Sequence, residues 1–179
     1  MPSGRTHDQI TLRCLPWLGG VSLLVTFNLG LTAYLCGGFL FSGLMFGPDL
    51  DIYSKQYQRW GVLRFIWVPY RKALSHRSWL SHGPIIGTSL RLLYLGIWIG
   101  IVLALLRLMA RGVVPWSLPE AVQVLKQLWH QHPRSCVALL LGLEIGAMSH
   151  SLSDVVGSRA KAVLKRFKQK VKRRPRQRR

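Results

Sequence analysis

Histidines and aspartates recur in this chain in short motifs whose spacing suits metal coordination. The chain has only six acidic residues among 179, so the position of each acid is informative. Mixed imidazole and carboxylate ligands favour Zn, Mn or Fe over Ca. The candidate ligands, which lie near the amino terminus and in the motifs GPDLD, HRSWLSH and SHSLSD, are His7, Asp49, Asp51, His76, His82, His150 and Asp154.

The spacing within two of the motifs predicts how their side chains are presented. His150 and Asp154 are four residues apart, so on a helix they share a face. Asp49 and Asp51 are two apart and follow a Gly-Pro pair that favours a break. We therefore expect both carboxylates on one side of an extended segment.

The remaining histidines form two further pairs. His76 and His82 are six residues apart and would not share a face of one helix, so we expect one of them in the turn before Gly83. His130 and His132, in LWHQHP, fall on the opposite side of the predicted bundle. We interpret that second pair as surface residues.

Four apolar stretches must position these motifs. They cover residues 12–27, 31–46, 84–110 and 135–152. A bilayer span needs about 20 residues, so the first stretch is short and could instead be re-entrant. We expect Pro16 near the start of the first helix and a turn at the NLG sequence that follows this helix. No small-x-small cleavage site follows, which favours an anchor over a removed signal peptide. The sequence predicts an all-α membrane bundle of about four helices.

The distribution of basic residues predicts the orientation of this bundle. The chain carries 25 Lys and Arg and a formal net charge of +19. With four spans, twenty of the basic residues fall on the side that holds both termini, and four fall on the other side. The positive-inside rule then places both termini, and with them every candidate ligand, on the cytoplasmic side of an inner or plasma membrane.

The segment 155–179 is predicted to be a basic amphipathic helix that ends in a KRRPRQRR tail. It holds twelve basic residues and no acid, which favours binding to anionic lipid headgroups. Nonspecific contact with nucleic acid is the alternative, although no specific nucleic-acid motif is present. The predicted organisation is a membrane-embedded metal-binding domain, 1–154, followed by this segment. Its apolar stripe consists of Ala160, Val163, Leu164, Phe167 and Val171.

Two charges, Glu144 and Arg91, fall inside the predicted spans at similar depths. An isolated charge is costly there, so we expect the two to form an ion pair that faces the bundle interior. Such a pair would hold the fourth helix in the rotation that aims His150 at the metal. Direct ligation by Glu144 is the competing interpretation.

Taken together, the motifs resemble those of known families. PSGRTHD, GGFLFSGLMFGPDLD, YRKALSHRSWLSHG and GLEIGAMSHSLSD closely resemble segments of a family of cyanobacterial proteins described as metal-binding. More loosely, the PD-x-D, HR-x(4)-H and H-x(3)-D pieces resemble the LexA-regulated inner-membrane family described as metal-dependent hydrolases. That family looks distantly related to the all-helical zinc phospholipase C and P1-type nuclease fold. The resemblance implies that the seven candidate ligands are the metal-site positions.

Two functions agree with these features. The first is a membrane-embedded, metal-dependent hydrolase, a phosphoesterase acting at the cytoplasmic leaflet. Seven ligands exceed the need of one tetrahedral ion, so the site could hold one ion or two, bridged by a carboxylate such as Asp49 or Asp154. Arg77 could neutralise an anionic substrate, or serve only as a positive-inside anchor. The second function is a non-catalytic protein in which the metal staples the helix ends together.

Other classes are disfavoured. The polar cluster lies at one end of the predicted bundle and not at its midplane, which argues against a transporter. No nucleophile elbow surrounds the serines that flank the histidines, which argues against a serine hydrolase. The three cysteines have no paired spacing, which argues against a disulfide framework or a cysteine-based zinc finger.

Overall fold

The computed structural model describes residues 4–109 and 118–172. Its regular structure is helical, and no strand occurs within these two ranges, so the all-α prediction is confirmed. Two 3₁₀ helices, Pro48–Asp51 and Gly61–Trp67, lie between the second and the sixth α-helix. The α-helices in chain order are α1 Gly4–Thr26, α2 Leu29–Leu44, α3 Lys55–Gln58, α4 Val68–Ala73, α5 Trp79–His82, α6 Ile86–Met109, α7 Leu118–Gln131 and α8 Pro133–Lys172.

Helices α1 and α2 form a hairpin with its turn where the NLG sequence predicts it. Phe27 follows α1 with a left-handed backbone, φ 48°. The Asn28 side chain accepts a hydrogen bond from Leu31 N at 3.0 Å and caps the start of α2. Further along the two helices, the hydroxyls of Ser22 and Thr32 lie 3.2 Å apart.

The expected position of Pro16 near a helix start is wrong. Helix α1 begins at Gly4, and Pro16 lies in its interior, where a proline removes one backbone hydrogen bond. The additional turns carry His7 and Thr11, both of which are buried. An apolar pattern could not locate this start, because the buried residues of the first turns are polar.

Helix α8 packs closely against α2 through glycines. A Cβ atom at Gly142 would lie 2.1 Å from the carbonyl oxygen of Leu35, and one at Gly146 would lie 2.6 Å from that of Phe39. The two glycines form a GxxxG motif, which lets helix backbones approach each other. This contact fixes the height and rotation of α8, and therefore of the ligands that α8 carries.

Within residues 4–109 and 118–172, three helical stretches are long and apolar enough to cross a membrane. They are Leu29–Asp51, which runs on through the first 3₁₀ helix, Ile86–Met109 and Pro133–Arg166. Helix α1, predicted as the first span, is not among them, because its first turns are polar. The most apolar part of α6 has no buried residue, and this helix buries only residues near its start, such as Thr88 and Arg91.

An aromatic core lies in the connection between α2 and α6. Phe46, Trp67 and Tyr70 are at most 3% exposed, and Leu143 of α8 joins their cluster. The Trp67 ring packs edge-on against Phe46 and Tyr70, with ring centroids 5.8 and 5.6 Å apart. This core fixes the short helices that carry the middle ligands.

Helix α8 continues without a break from the fourth apolar stretch into the basic segment. Val163 and Leu164 of the predicted stripe are 66% and 56% exposed, so they are available to a surface outside the chain. The division into 1–154 and 155–179 stays a prediction. The other stripe side chains, those of Ala160, Phe167 and Val171, lie outside the described parts of the structure, as do residues 173–179.

Candidate metal centre

The structure gathers all seven predicted ligands at one end of the helices. They come from α1, the first 3₁₀ helix, the α4–α5 loop, α5 and α8. Among the described residues, two groups each offer three ligand atoms that lie within 4.8 Å of one another. Group 1 consists of His7, His150 and Asp154, and group 2 consists of Asp49, His76 and His82.

Group 1 joins the start of α1 to the middle of α8. His7 Nε2 lies 3.3 Å from Asp154 Oδ1. The His7 ring stacks on the His150 ring with centroids 3.8 Å apart. All three residues are at most 5% exposed. The prediction that His150 and Asp154 share a helix face is confirmed, since both contact His7.

A serine determines which nitrogen of His7 faces the group. Ser153 Oγ donates its proton to the carbonyl oxygen of His150 at 2.8 Å. The same oxygen lies 2.7 Å from His7 Nδ1 and must therefore accept a hydrogen bond from Nδ1–H. The neutral ring then presents a lone pair at Nε2 to Asp154, which also offers only lone pairs. Two such acceptors facing each other are suited to a shared cation, either a metal ion or a proton on Nε2.

Group 2 follows the same arrangement. His76 Nδ1 lies 2.9 Å from Asp51 Oδ1 and donates to it, because a carboxylate oxygen only accepts. His82 Nδ1 lies 2.8 Å from Ser81 Oγ, whose own proton is donated to Ser78 O. In both imidazoles Nδ1–H is engaged, so Nε2 is left with a lone pair for a metal.

Asp49, a member of group 2, also contacts group 1. Its Oδ2 is 3.0 Å from His150 Nε2, and its Oδ1 is 3.8 Å from His82 Nε2. One carboxylate thus directs one oxygen towards each group.

The expectation that Asp49 and Asp51 share one side of an extended segment is wrong. They lie in the 3₁₀ helix Pro48–Asp51, with Pro48 in its first turn and Gly47 extended before it. Proline fixes a helical φ at that position. With about three residues per turn, side chains two apart diverge. Asp51 accordingly lies outside both groups and contacts His76.

The inward-facing atoms of the cluster have no hydrogen-bond partners. His150 Nε2 is close to Asp49 but is not aligned for a hydrogen bond. Buried polar atoms without partners are costly in a native protein. The imidazole and carboxylate donor set therefore fits a transition-metal ion. The unpartnered atoms are Asp49 Oδ1, Asp51 Oδ2, His76 Nε2, His82 Nε2, His150 Nε2 and both carboxylate oxygens of Asp154.

Burial favours the neutral form of two of these imidazoles. Burial lowers the pKa of His7, and the neighbouring His150 lowers it further, while Asp154 opposes the shift. Burial also lowers the pKa of His82, against the opposing effect of Asp51. Metals bind neutral imidazole, so both rings are prepared for ligation at neutral pH.

Arg77, the predicted substrate contact, borders the cluster. Its Nη2 lies 3.9 Å from Asp154 Oδ2, and its side chain is 43% exposed. The Arg77 backbone is left-handed, φ 62°. A non-glycine residue in this region is strained, and such strain is concentrated at functional positions.

The expected ion pair between Arg91 and Glu144 is wrong. Arg91 Nη1 instead donates to Ser81 O at 2.8 Å, and its Nη2 donates to Thr88 Oγ1 at 3.0 Å. Glu144 Oε1 accepts from Ile85 N at 2.9 Å. Each charge thus binds local polar groups near the start of α6. Similar predicted depths in the membrane do not reveal these partners.

The other histidines and the acid beside His7 do not join the cluster. His130 and His132 are exposed, so their interpretation as surface residues is confirmed. Asp8 accepts from both terminal nitrogens of Arg59, at 2.9 and 2.7 Å. This bidentate pair keeps the Asp8 carboxylate occupied.

Sequence reasoning missed the side chains that orient the imidazoles. Gln56 is 3% exposed, donates to Gly43 O at 2.9 Å and lies 3.4 Å from His150 Nδ1. Ser153 and Ser81 hold the other two rings described above. Ser153 and Ser81 each directly precede a ligand in their motifs, whereas Gln56 has no comparable signal in the sequence.

The fold and the cluster together define an all-helical protein with a buried imidazole and carboxylate centre of metal-binding type. The family of uncharacterized metal-binding proteins named DUF2227 has a model that matches residues 2–164. The chain belongs to this family. The prediction of a metal-binding family of unknown function is thereby confirmed.

One relative adds a partial match. An uncharacterized protein of Aquifex aeolicus (strain VF5) is 41% identical over 59 residues. This stretch spans 32% of the present chain and 41% of that protein. No solved structure matches the chain.

Proposed function

We propose that the protein is a metal-dependent hydrolase of phosphate esters with a two-metal centre. The observation that carries the proposal is the position of Asp49, whose oxygens lie 3.0 Å from His150 in group 1 and 3.8 Å from His82 in group 2. A carboxylate shared in this way can bridge two cations. Paired cations are a recurring device for hydrolysing phosphate esters.

Each group would hold one ion, with Asp49 between the two. Zn suits the donor set, and Mn and Fe are alternatives. The ions, when bound, lower the pKa of a coordinated water and polarise a phosphoryl oxygen. Hydrolysis forms a bond between the water oxygen and phosphorus and breaks the ester P–O bond, and one proton of the water passes to the leaving alcohol.

The protein's own residues would orient the ligands and bind the substrate. Ser153, Asp51 and Ser81 engage Nδ1 of three imidazoles at 2.7, 2.9 and 2.8 Å, so each ring is held with Nε2 inward. The guanidinium of Arg77 would neutralise the anionic substrate through charge-assisted hydrogen bonds. Its position beside Asp154 supports this role.

The cluster is accessible from outside, as catalysis requires. A cavity of about 280 Å³ is lined by His7, Asp49, His150 and Asp154. Its rim includes Lys55, which is partly exposed. Such a route would let water and substrate reach a coordination position that the protein leaves open, as catalytic metal sites require.

The proposal also places the protein in the membrane with both termini cytoplasmic, which requires α1 to cross together with the three longer apolar stretches, because three crossings alone would put the termini on opposite sides. Three apolar stretches of sufficient length and many exposed apolar side chains on α1 and α6 support integration. The basic continuation of α8 would then lie on anionic lipid headgroups. The resemblance of the motifs to the cyanobacterial proteins, and more loosely to LexA-regulated inner-membrane hydrolases, supports the same assignment.

The test is to purify the chain in detergent, measure bound metals and assay p-nitrophenyl phosphate and bis(p-nitrophenyl) phosphate with and without chelator. We expect chelator-sensitive hydrolysis that is restored by adding Zn or Mn. His76→Ala and His150→Ala should abolish it, whereas His132→Ala, a change at an exposed histidine, should not. Bound metal without chelator-sensitive turnover of either ester would refute the proposal.

A second candidate function, a structural metal staple, is favoured by one observation. The ligands come from separate elements spread along the chain, and His7, Asp51, His150 and Asp154 are at most 5% exposed. A metal there would join the helix ends together whatever else it does. Under this candidate, chelation would lower the melting temperature of a protein that shows no turnover.

A further inference from the structure

A second cavity reaches the cluster on the side of Arg77 and the later turns of α8. It has a volume of about 340 Å³ and is bordered by Arg77 and His82 on one wall and by α8 on the other. Asp154 and Arg159 belong to the α8 wall. The cavity therefore touches one ligand of group 1 and one of group 2.

The α8 wall is a single helix face. The lining residues Ser151, Asp154, Val155, Ser158 and Arg159 follow the spacing of one side of an α-helix. At about 1.5 Å per residue, Arg159 lies roughly one and a half turns beyond Asp154. The guanidinium is thus placed past the metal ligands, on the same face and at the same cavity.

The cavity is positively charged once the cluster holds its ions. Among the described residues that line it, Asp154 is the only carboxylate, and it is a member of group 1. Asp154 is the acid that lies within 4.0 Å of Arg77, and in the described chain no acid lies that close to Arg159. A cation bound by Asp154 would neutralise it, and the two guanidiniums would then lack a counter-charge.

We propose that this cavity is the substrate's phosphate-binding site, with Arg77 and Arg159 as its two anion contacts. This inference rests on the proposed function and extends it by naming the wall on which the substrate binds. Guanidinium groups donate paired hydrogen bonds to phosphate oxygens, and Ser158 lines the same cavity. The left-handed backbone of Arg77 is a conformation of the kind that clusters at ligand contacts.

The phosphate could belong to a lipid headgroup or to a soluble ester. Val155 lines the cavity, and Trp79, Leu152 and Val156, which are close in sequence to its lining residues, are 66%, 55% and 64% exposed. An apolar rim around two cations suits a phosphomonoester at a membrane surface. The chemistry recognised, a terminal phosphate, is the same for both sources.

The experiment measures binding of inorganic phosphate to the full-length, Zn-loaded protein by isothermal titration calorimetry. We expect Arg77→Gln and Arg159→Gln each to weaken binding roughly tenfold to hundredfold, as loss of a charge-assisted contact predicts. Arg166→Gln is the matched control, because Arg166 lies further along the same helix and does not line the cavity. Metal content, measured on the same samples, should be equal in all four proteins.

Two results would overturn the inference: unchanged phosphate binding in both cavity variants, or equal weakening in Arg166→Gln. Because phosphate binding needs no turnover, the two proposals fail separately. Phosphate binding that depends on both arginines, in a protein without hydrolytic activity, would refute the proposed function and retain the anion site. Hydrolysis that survives both substitutions with an unchanged KM would refute the anion site and retain the proposed function.

The source of the phosphate is resolved by competition. The titration is repeated in micelles that contain phosphatidic acid, or phosphatidylglycerol as an anionic diester control. Displacement of inorganic phosphate by phosphatidic acid alone identifies a lipid phosphomonoester. Displacement by soluble glycerol phosphate, without an effect of either lipid, identifies a soluble ester. Displacement by both lipids equally would show nonspecific charge and would contradict a built site.

Discussion

Replacing Ser153 by alanine isolates the effect of imidazole orientation on metal binding. Ser153 Oγ accepts from His7 Nδ1 at 2.7 Å and donates to His150 O at 2.8 Å. Without it, the His7 ring loses the contact that directs Nε2 towards Asp154. The variant keeps every proposed ligand, so any loss of affinity reports on orientation alone.

The expected magnitude follows from comparable contacts. Loss of an outer partner of a metal-bound histidine typically weakens metal binding 10- to 100-fold, which corresponds to about 1.4–2.8 kcal/mol. Only the ion held by group 1 should be affected, because His7 belongs to that group. The ion held by His76 and His82 should bind as in the parent.

Ser149→Ala is the matched control. Ser149 Oγ also donates to a carbonyl three residues earlier in α8, that of Gly146, at 2.8 Å. The control therefore removes the same kind of hydroxyl and the same kind of helix contact. Competition with a fluorescent chelator resolves the two binding steps in each protein. If Ser153→Ala binds both ions like Ser149→Ala, the assigned role of Ser153 is refuted.

Three further predictions concern the two groups and the packing that supports them. Asp49→Ala should lower the metal content from two ions to at most one weakly held ion, whereas His76→Ala should retain one ion. Mass spectrometry of bound metals measures both contents, and equal losses would argue against bridging by Asp49. Gly142→Ala should destabilise the fold by about 1–3 kcal/mol and lower the melting temperature, because its Cβ would lie 2.1 Å from Leu35 O. Gly37→Ala is the control: open space surrounds its Cβ, so the melting temperature should not fall. Chelation should lower the melting temperature of the parent, since an ion that binds only the folded state stabilises it; an unchanged value would show that no ion was bound.

Much of this arrangement could be predicted from the sequence because its signals are local. His150 and Asp154 share a face for the reason that any residues four apart on a helix do. The NLG turn was identifiable because Asn28 is a favoured capping residue. The three long apolar stretches are likewise recognisable from their length and composition.

The parts that could not be predicted depend on contacts between distant segments. Asp49 and Asp51 diverge because Pro48 begins a 3₁₀ turn, and an apolar pattern carries no information on that choice. Arg91 binds Ser81 O and not Glu144, since the short helix α5 lies above the start of α6. An estimate of the depth of Arg91 and Glu144 in the membrane treats each span separately. It does not include the contact of Arg91 with α5.

The orienting side chains were missed for a related reason. Gln56 and His150 are 94 positions apart in sequence, and neither the spacing nor the type of a glutamine marks it as a partner of histidine. Ser153 and Ser81 are next to ligands, but serine is common at helix ends and interfaces. Only the distances to Nδ1 distinguish these residues from their neighbours.

The most direct test of the central claim is electron paramagnetic resonance of the detergent-purified protein loaded with Mn²⁺. Two ions bridged by the Asp49 carboxylate should bind per chain and give the spectrum of an exchange-coupled pair. Asp49→Ala should remove that coupling. A parent protein that binds a single ion, or two ions with the spectra of isolated Mn²⁺, would contradict the shared two-metal centre.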